Sequence, residues 1–155
     1  MFRKMRRWKQ QLTESECVEI LRREPRGVLA VSGDDGYPYA VPLDFVYQDG
    51  KLYFHCAGEG HKIDAVRRCD KATFCVMDAG ERTPGEWWLT FRSVIVFGRV
   101  RILDDRAEVL ARVRDLGLKY AAPDYVEKEL QNDGKRVQCL ELTVEHMTGK
   151  RVRER

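Results

Sequence analysis

Two β-prone runs flank an Asp49-Gly50 dipeptide, and this pair narrows the possible folds more than any other feature of the sequence. The runs extend from Tyr39 to Tyr47 and from Lys51 to Ala57. An Asp-Gly dipeptide tolerates the positive φ angles of a primed turn, so the two runs are predicted to form an antiparallel hairpin. A third β-prone run, Val28 to Ser32, precedes them, and a turn separates it from the hairpin. Three consecutive antiparallel strands are therefore predicted.

Further elements follow from capping and periodicity. Thr13 and Glu16 have the spacing of a capping box, which predicts that a helix begins there. The run from Trp87 to Leu103 is longer than a typical strand, so a bend or bulge is expected near Gly98. The other predicted elements are a helix at His61–Arg68, a strand at Ala72–Met77, a helix from about Arg106 to Tyr120, a short helix from Pro123 and a last strand at Val137–Glu145.

This order of elements is typical of a closed or half-closed antiparallel barrel. The sequence has neither the βαβ alternation of a parallel sheet nor a Gly-rich nucleotide fingerprint. We therefore predict a mainly β fold with flanking helices and antiparallel strands. A chain of 155 residues suits a single domain, 1–155, with a basic N-terminal arm at residues 1–12 and a basic C-terminal tail at residues 147–155.

Composition limits the classes of function. Hydrophobic residues make up 43% of the chain and charged residues 34%, and no apolar run approaches the length of a membrane helix. Polar residues 10–16 follow the basic start, so a secretory signal is not expected. The five cysteines form no C-x-x-C pair, which favours reduced thiols and a cytoplasmic location. The net charge of +3 lies largely at the ends, which we expect to be solvated rather than bound to nucleic acid.

Several catalytic templates are excluded by spacing. The three histidines are His55, His61 and His146, and no two stand four residues apart as in a helical metal site. No nucleophile elbow, P-loop or S-x-x-K motif occurs. We expect no metal site, and cofactor binding remains as the main route to chemistry.

The segment around Lys62 suits a phosphate group. A glycine-flexible turn, Gly58-Glu59-Gly60, leads into the predicted helix, and Lys62 lies in the first turn. Free N–H groups there and one ammonium group would converge on an anion. A solvated surface lysine is the alternative interpretation of the same pattern.

Three motifs in order resemble one known family. They are V-P-L-D-F-V-Y at 41–47, D-G-K-L-Y-F-H-C-A-G-E-G-H-K-I-D at 49–64 and R-S-V-I-V-F-G-R-V at 92–100. This sequence resembles the FMN-binding split β-barrels of the pyridoxamine-phosphate-oxidase-like superfamily, on the nitroimidazole-resistance (Nim) branch. The resemblance covers residues 26 to 103. It departs from the commoner pattern at Asp44, often Asn, and at Cys56, often Ser.

The resemblance implies an FMN site at the interface of a homodimer. It implies that residues 41–43 run past the flavin ring, that residues 55–57 follow the ribityl chain and phosphate, that His61 and Lys62 hold the phosphate, and that residues 92–94 close the site from a neighbouring strand or subunit. The implied cofactor-binding residues are Val41, Pro42, Leu43, His55, Cys56, Ala57, His61, Lys62, Arg92, Ser93 and Val94.

The resemblance also implies an activity, in which reduced FMN passes electrons to a small organic acceptor such as a nitroaromatic. His55 is the candidate proton donor to that acceptor, and its alternative role is a hydrogen bond to the phosphate or a neighbouring strand. Trp87-Trp88 is interpreted as a core or dimer contact rather than a substrate platform.

Two other functions stay open: a non-catalytic FMN- or haem-binding storage or sensor protein, and a scaffold whose basic ends recruit an acidic partner. A homodimer is also expected because the strand edges and an apolar face, with Val94, Val96 and Trp88, need covering.

Overall fold

Eight β-strands and four α-helices make up residues 1–153, which are the part of the chain that this computed structural model describes. Short 3-10 turns occur at Trp8–Gln10 and Asp34–Gly36. The strands are β1 (Arg26–Ser32), β2 (Pro38–Asp44), β3 (Val46–Gln48), β4 (Lys51–Cys56), β5 (Lys71–Met77), β6 (Glu81–Arg82), β7 (Leu89–Ile102) and β8 (Gln138–Arg153). The helices are α1 (Glu14–Arg23), α2 (His61–Arg68), α3 (Arg106–Leu118) and α4 (Pro123–Asp133).

All the strands pair antiparallel in one curled sheet, which confirms the predicted fold class of mainly β structure with flanking helices. The strand order is β2, β1, β5, β7, β8, β4, β3, and β6 pairs with β7. β2 and β3 therefore lie at opposite ends of the order, yet only Phe45 separates them in the chain. A sheet whose two end strands are joined by one residue must curl until they meet, and the result is a half-closed barrel.

The prediction of three consecutive strands is wrong at Phe45, the residue between β2 and β3, which we call the joint. The run Tyr39–Tyr47 was expected to be one strand, but Phe45 divides it between β2 and β3. Phe45 points into the barrel, is fully buried and packs edge-on against Phe74 at a ring-centroid distance of 4.9 Å. The hairpin at Asp49-Gly50 is present between β3 and β4, with φ of 46° and 78° at its two residues.

The strand at the C-terminal end is longer than predicted. β8 continues beyond Glu145 to Arg153, because residues 147–153 pair with the first half of β7. The tail expected at residues 147–155 is therefore part of the sheet as far as Arg153, and residues 154 and 155 lie outside the described residues. The bulge expected near Gly98 is present, since the register of β7 against β8 shifts between Phe97 and Gly98.

Of the four helices, α1 and α2 contribute buried side chains to the core of the barrel. α1 begins with the predicted capping box, in which the Thr13 side chain accepts from the Glu16 N–H and the Glu16 carboxylate accepts from the Thr13 N–H. α2 has the predicted bounds. α3 was expected to reach Tyr120 and ends at Leu118. Within residues 1–153, no helix combines the length and the apolar character needed to cross a membrane.

α3 covers the outer face of β4 and β8, where a buried carboxylate lies. Glu141 is 1% exposed, and its side chain lies on the opposite face of β8 from the core residues Leu140 and Leu142. Its carboxylate accepts from Arg101 Nε at 2.7 Å, from Lys51 Nζ at 3.1 Å and from the Tyr53 hydroxyl at 3.1 Å. Burial opposes ionisation of Glu141, but these hydrogen bonds outweigh it and lower its pKa to about 2.

Glu141→Gln is predicted to lower the free energy of unfolding by roughly 2–3 kcal/mol at pH 7, because hydrogen bonds to a charged group are lost in a buried site. The folded pKa lies below the unfolded value, so the stabilisation is complete above about pH 5 and is lost as the pH falls towards 2. Denaturant unfolding at several pH values measures the difference. Glu145→Gln is the control, since the ion pair that Glu145 forms with Arg99 lies at the exposed surface. A difference between parent and Glu141→Gln that does not change from pH 7 to pH 3 would contradict this prediction.

Candidate functional site

A cleft separates the two ends of the curled sheet. β2 pairs only with β1, so its other edge is free of strand partners within residues 1–153. β3 pairs with Lys51–Tyr53 alone, and the second half of β4 extends beyond it. We define the cleft by Tyr39–Asp44 of β2 on one side and by residues 55–62, the end of β4 and the start of α2, on the other.

One end of the cleft is a pocket of about 360 Å³, in which His55 lies beside residues of β2. Its lining consists of Arg26, Pro42, Leu43, Asp44 and His55. His55 is exposed, whereas Phe54 and Cys56 on either side of it are buried in the barrel core. His55 and Cys56 therefore face opposite sides of β4, as alternation along a strand requires.

An ion pair lies beside this pocket. Arg26 and Asp44 are directly opposite each other on β1 and β2, and Arg26 Nε donates to the Asp44 carboxylate at 2.7 Å. The hydrogen bond and the charge of Asp44 raise the pKa of Arg26. The negative charge of Asp44 is thus balanced by the guanidinium of Arg26.

The other end of the cleft carries positive charge. The Tyr39 ring stacks on His61 at a centroid distance of 4.1 Å, which fixes the start of α2 against β2. Gly60 precedes α2 with φ of +119°, and the N–H groups of the first helical turn follow it. Lys62 is half-buried and has no salt-bridge partner among the described residues, whereas His61 lies 3.5 Å from Asp34.

The cleft is long enough for an elongated ligand. From Tyr39 to Leu43, β2 spans about 13 Å at roughly 3.3 Å per residue. Val41 and Leu43 are half-buried against the core, and Pro42 between them is exposed. One wall is therefore a strand edge, and the opposite wall carries an imidazole at one end and a lysine at the other.

Cys56 is held as a thiol. Burial raises its pKa, and the nearby Lys62 ammonium offsets only part of this effect. A buried thiol with a raised pKa is a poor nucleophile. Ala57 is exposed and continues the chain from Cys56 towards α2.

The third predicted segment, residues 92–94, lies elsewhere in the chain. β7 is separated from β2 by β1 and β5, so a neighbouring strand does not bring these residues to the cleft. Val94 is fully buried in the core. Arg92 donates through Nε to Asp78 at 2.9 Å and lines a different pocket. Ser93 is half-buried opposite Met77.

Sequence reasoning missed Arg26 and Tyr39 as parts of the site. Arg26 reaches the pocket through its register with Asp44, which the sequence does not reveal. Tyr39 could have been found, because it alternates with Val41 and Leu43 on one face of the same strand. In the described part of the chain, no group of three or more His, Cys, Asp or Glu side chains is arranged to hold a metal ion.

Comparison with solved structures gives similar folds over almost the whole chain. A protein proposed to be a 5-nitroimidazole antibiotic resistance protein, from Bacteroides thetaiotaomicron, has a TM-score of 0.78 and 19% identity, covering 92% of this chain and 87% of its own. A FAD-binding protein from Mesorhizobium loti has a TM-score of 0.65 and 25% identity, covering 92% and 97%. A FAD and heme binding protein from Mycobacterium smegmatis has a TM-score of 0.74 and 18% identity, covering 92% and 73%.

Sequence comparison identifies the family of the chain. No curated protein matches the chain. The family model described as pyridoxamine 5'-phosphate oxidase matches residues 13–151, which run from the cap of α1 almost to the end of β8. The chain therefore belongs to the pyridoxamine 5'-phosphate oxidase family.

Proposed function

We propose that this protein binds FMN in the cleft and acts as an oxidoreductase that passes electrons from the reduced flavin to a small organic acceptor. The observation that carries the proposal is the shape of the cleft, with an unpaired strand edge, a cationic helix start at one end and a His55 pocket at the other. Similar folds in FAD-binding proteins and in the nitroimidazole-resistance protein support it.

The cationic end fits a terminal phosphate. The first-turn N–H groups of α2 and the unpaired Lys62 ammonium would bind two of its oxygens, and His61 would add a donor. The chain offers one such helix start in the cleft and has no dinucleotide fingerprint, which favours FMN over FAD.

The strand-edge end fits the ring system of a flavin. The free edge of β2 presents backbone N–H and C=O groups to the polar rim of the ring, except at Pro42, which lacks an N–H. Asp44 would place a negative charge near a reduced, anionic ring, and Arg26 at 2.7 Å neutralises it. The residues present therefore suit the cofactor at both ends.

The bound flavin would supply two-electron chemistry, and the protein would orient the acceptor and exclude side reactions. His55 is exposed in the pocket beside Pro42 and Leu43, so its imidazole can hold a proton next to the acceptor. Cys56 faces the core and stays protonated, which leaves it no role as a thiolate.

Lys62→Ala is expected to weaken FMN binding by at least tenfold and to leave riboflavin binding nearly unchanged, because only FMN carries the phosphate. Fluorescence quenching during titration of the apoprotein measures both affinities. Lys128→Ala, at an exposed position of α4, is the control for loss of one positive charge. Equal losses of affinity for FMN and riboflavin would show that Lys62 does not bind the phosphate. A parent protein that quenches the fluorescence of neither ligand would overturn the proposed function.

His55→Gln is expected to slow reduction of a nitroaromatic by roughly 100-fold, the lower end of general acid contributions, if the imidazole donates the proton. The rate is measured with photoreduced holoprotein at matched FMN occupancy. Cys56→Ala is the comparison and should keep the parent rate. Unchanged rates in His55→Gln would mean that solvent supplies the proton, and a collapse limited to Cys56→Ala would reverse the assignment.

The proposed assembly is a homodimer through the outer face of the sheet. Val94 and Val96, which the sequence suggested for this face, are buried in the core because they point inward from β7. The outer face carries other apolar residues, Val28 at 37% exposure, Met77 at 58% and Ile95 at 38%. A second chain packed here would cover them and could bring its own residues 92–93 towards the cleft. Trp87 and Trp88 are exposed rather than part of the core, which leaves the dimer contact as their expected role.

Light scattering at micromolar concentration is expected to give a dimer for the parent and a monomer for Ile95→Asp, because a buried charge would oppose association. The variant should also bind FMN more weakly. Leu118→Asp, at an exposed apolar position on α3, is the control and should remain dimeric. A parent that is monomeric with FMN bound would refute the proposed assembly.

A further inference from the structure

The backbone of Phe45 is held by the link between α3 and α4. Phe45 lies between β2 and β3 and belongs to neither strand. Its N–H donates to the Tyr120 hydroxyl at 2.9 Å, and its carbonyl lies 2.8 Å from the same hydroxyl oxygen. That oxygen is also 2.5 Å from the carbonyl of Pro25, just before β1. Its single proton is donated to one of the two carbonyls, so one side chain connects the joint to the start of β1.

Lys119 adds a second contact from the same link. Its ammonium donates to the carbonyls of Phe45 at 3.0 Å and Glu24 at 2.7 Å and approaches that of Leu21 at 3.5 Å. The ammonium also lies 3.9 Å from the centroid of the Phe45 ring. It therefore connects the C-terminal end of α1, where carbonyls lack helical partners, to the joint. Burial lowers the pKa of Lys119 to about 8.

These contacts are placed directly beside the cleft. Asp44 precedes Phe45, and both Leu43 and Asp44 line the His55 pocket. β2 is an end strand held by β1 alone, so its last residues depend on the joint for their position. Without the Tyr120 hydroxyl, the Phe45 N–H would lose its only hydrogen-bond acceptor among the described residues, and the joint could shift.

We propose that Tyr120 and Lys119 are positioning residues for the flavin, setting the distance between β2 and β4 through the backbone of Phe45. This inference rests on the proposed function. The two side chains touch the joint and do not line the pocket, so they act on the cofactor through Pro42, Leu43 and Asp44.

Tyr120→Phe tests the inference, because it removes the hydroxyl and keeps the ring. FMN affinity of the folded protein, measured by fluorescence quenching, is expected to fall about tenfold, with a change in the visible circular dichroism of the bound flavin. Lys119→Met should act in the same direction. Tyr125→Phe, at a 57% exposed position of α4, is the matched control and should behave as the parent.

A purely structural role would give a different pattern. It would lower the denaturant midpoint of the apoprotein and leave the FMN affinity and the flavin dichroism of the folded fraction at parent values, and that result overturns the inference. A parent that binds FMN while Tyr120→Phe and Lys119→Met bind it equally well overturns this inference alone. A parent that binds no flavin overturns the proposed function, and the inference falls with it.

Discussion

The fold depends on a joint of one residue between two strands at opposite ends of the same sheet. Phe45 connects β2 to β3, and no connection this short is compatible with a flat sheet of that strand order. Its ring is buried against Phe74, so packing in the core stabilises the curled shape of the sheet. Its backbone groups, which no ladder satisfies, are satisfied by Tyr120 and Lys119. The curvature of the sheet, the packing of the core and the contacts from the α3–α4 link therefore all involve Phe45.

The cleft is a consequence of how incompletely this joint closes the barrel. β3 is only three residues long and pairs with only the first half of β4. The two ends of the sheet are therefore joined beside Phe45 and stay apart along the second half of β4. The open part exposes the edge of β2 to the segment that runs from His55 to Lys62. A longer β3 would have paired along that segment and filled the space.

Local signals predicted the elements well and their arrangement less well. The capping box at Thr13 and the Asp49-Gly50 turn each depend on neighbouring residues, and both are present. The joint was missed because Phe45 is itself a strand-forming residue and nothing around it signals a turn. The burial of Glu141 could not be predicted from the sequence either, since alternation says which face a residue takes but not that α3 covers that face.

The residues of the cleft were likewise predicted only where local sequence or the resemblance indicated them. The resemblance pointed to Pro42, His55 and Lys62, and the fold places them along one cleft. Arg26 lines the His55 pocket and Tyr120 holds Phe45 beside the cleft. Both come from distant parts of the chain, and only the strand register and the α3–α4 link reveal them. The resemblance brought residues 92–94 to the site from a neighbouring strand or subunit, and within one chain β1 and β5 lie between β7 and β2.

The pairing of β4 has a consequence for the order of folding. Its short hairpin with β3 is local, but its other partner is β8, so that His55 lies opposite Cys139, far along the chain. Contacts of such large sequence separation are slow to form, since the intervening loop must be closed. One wall of the cleft is therefore fixed only when β8 has paired with β4. A ligand that needs both walls would bind after that pairing, slowing unfolding without speeding folding.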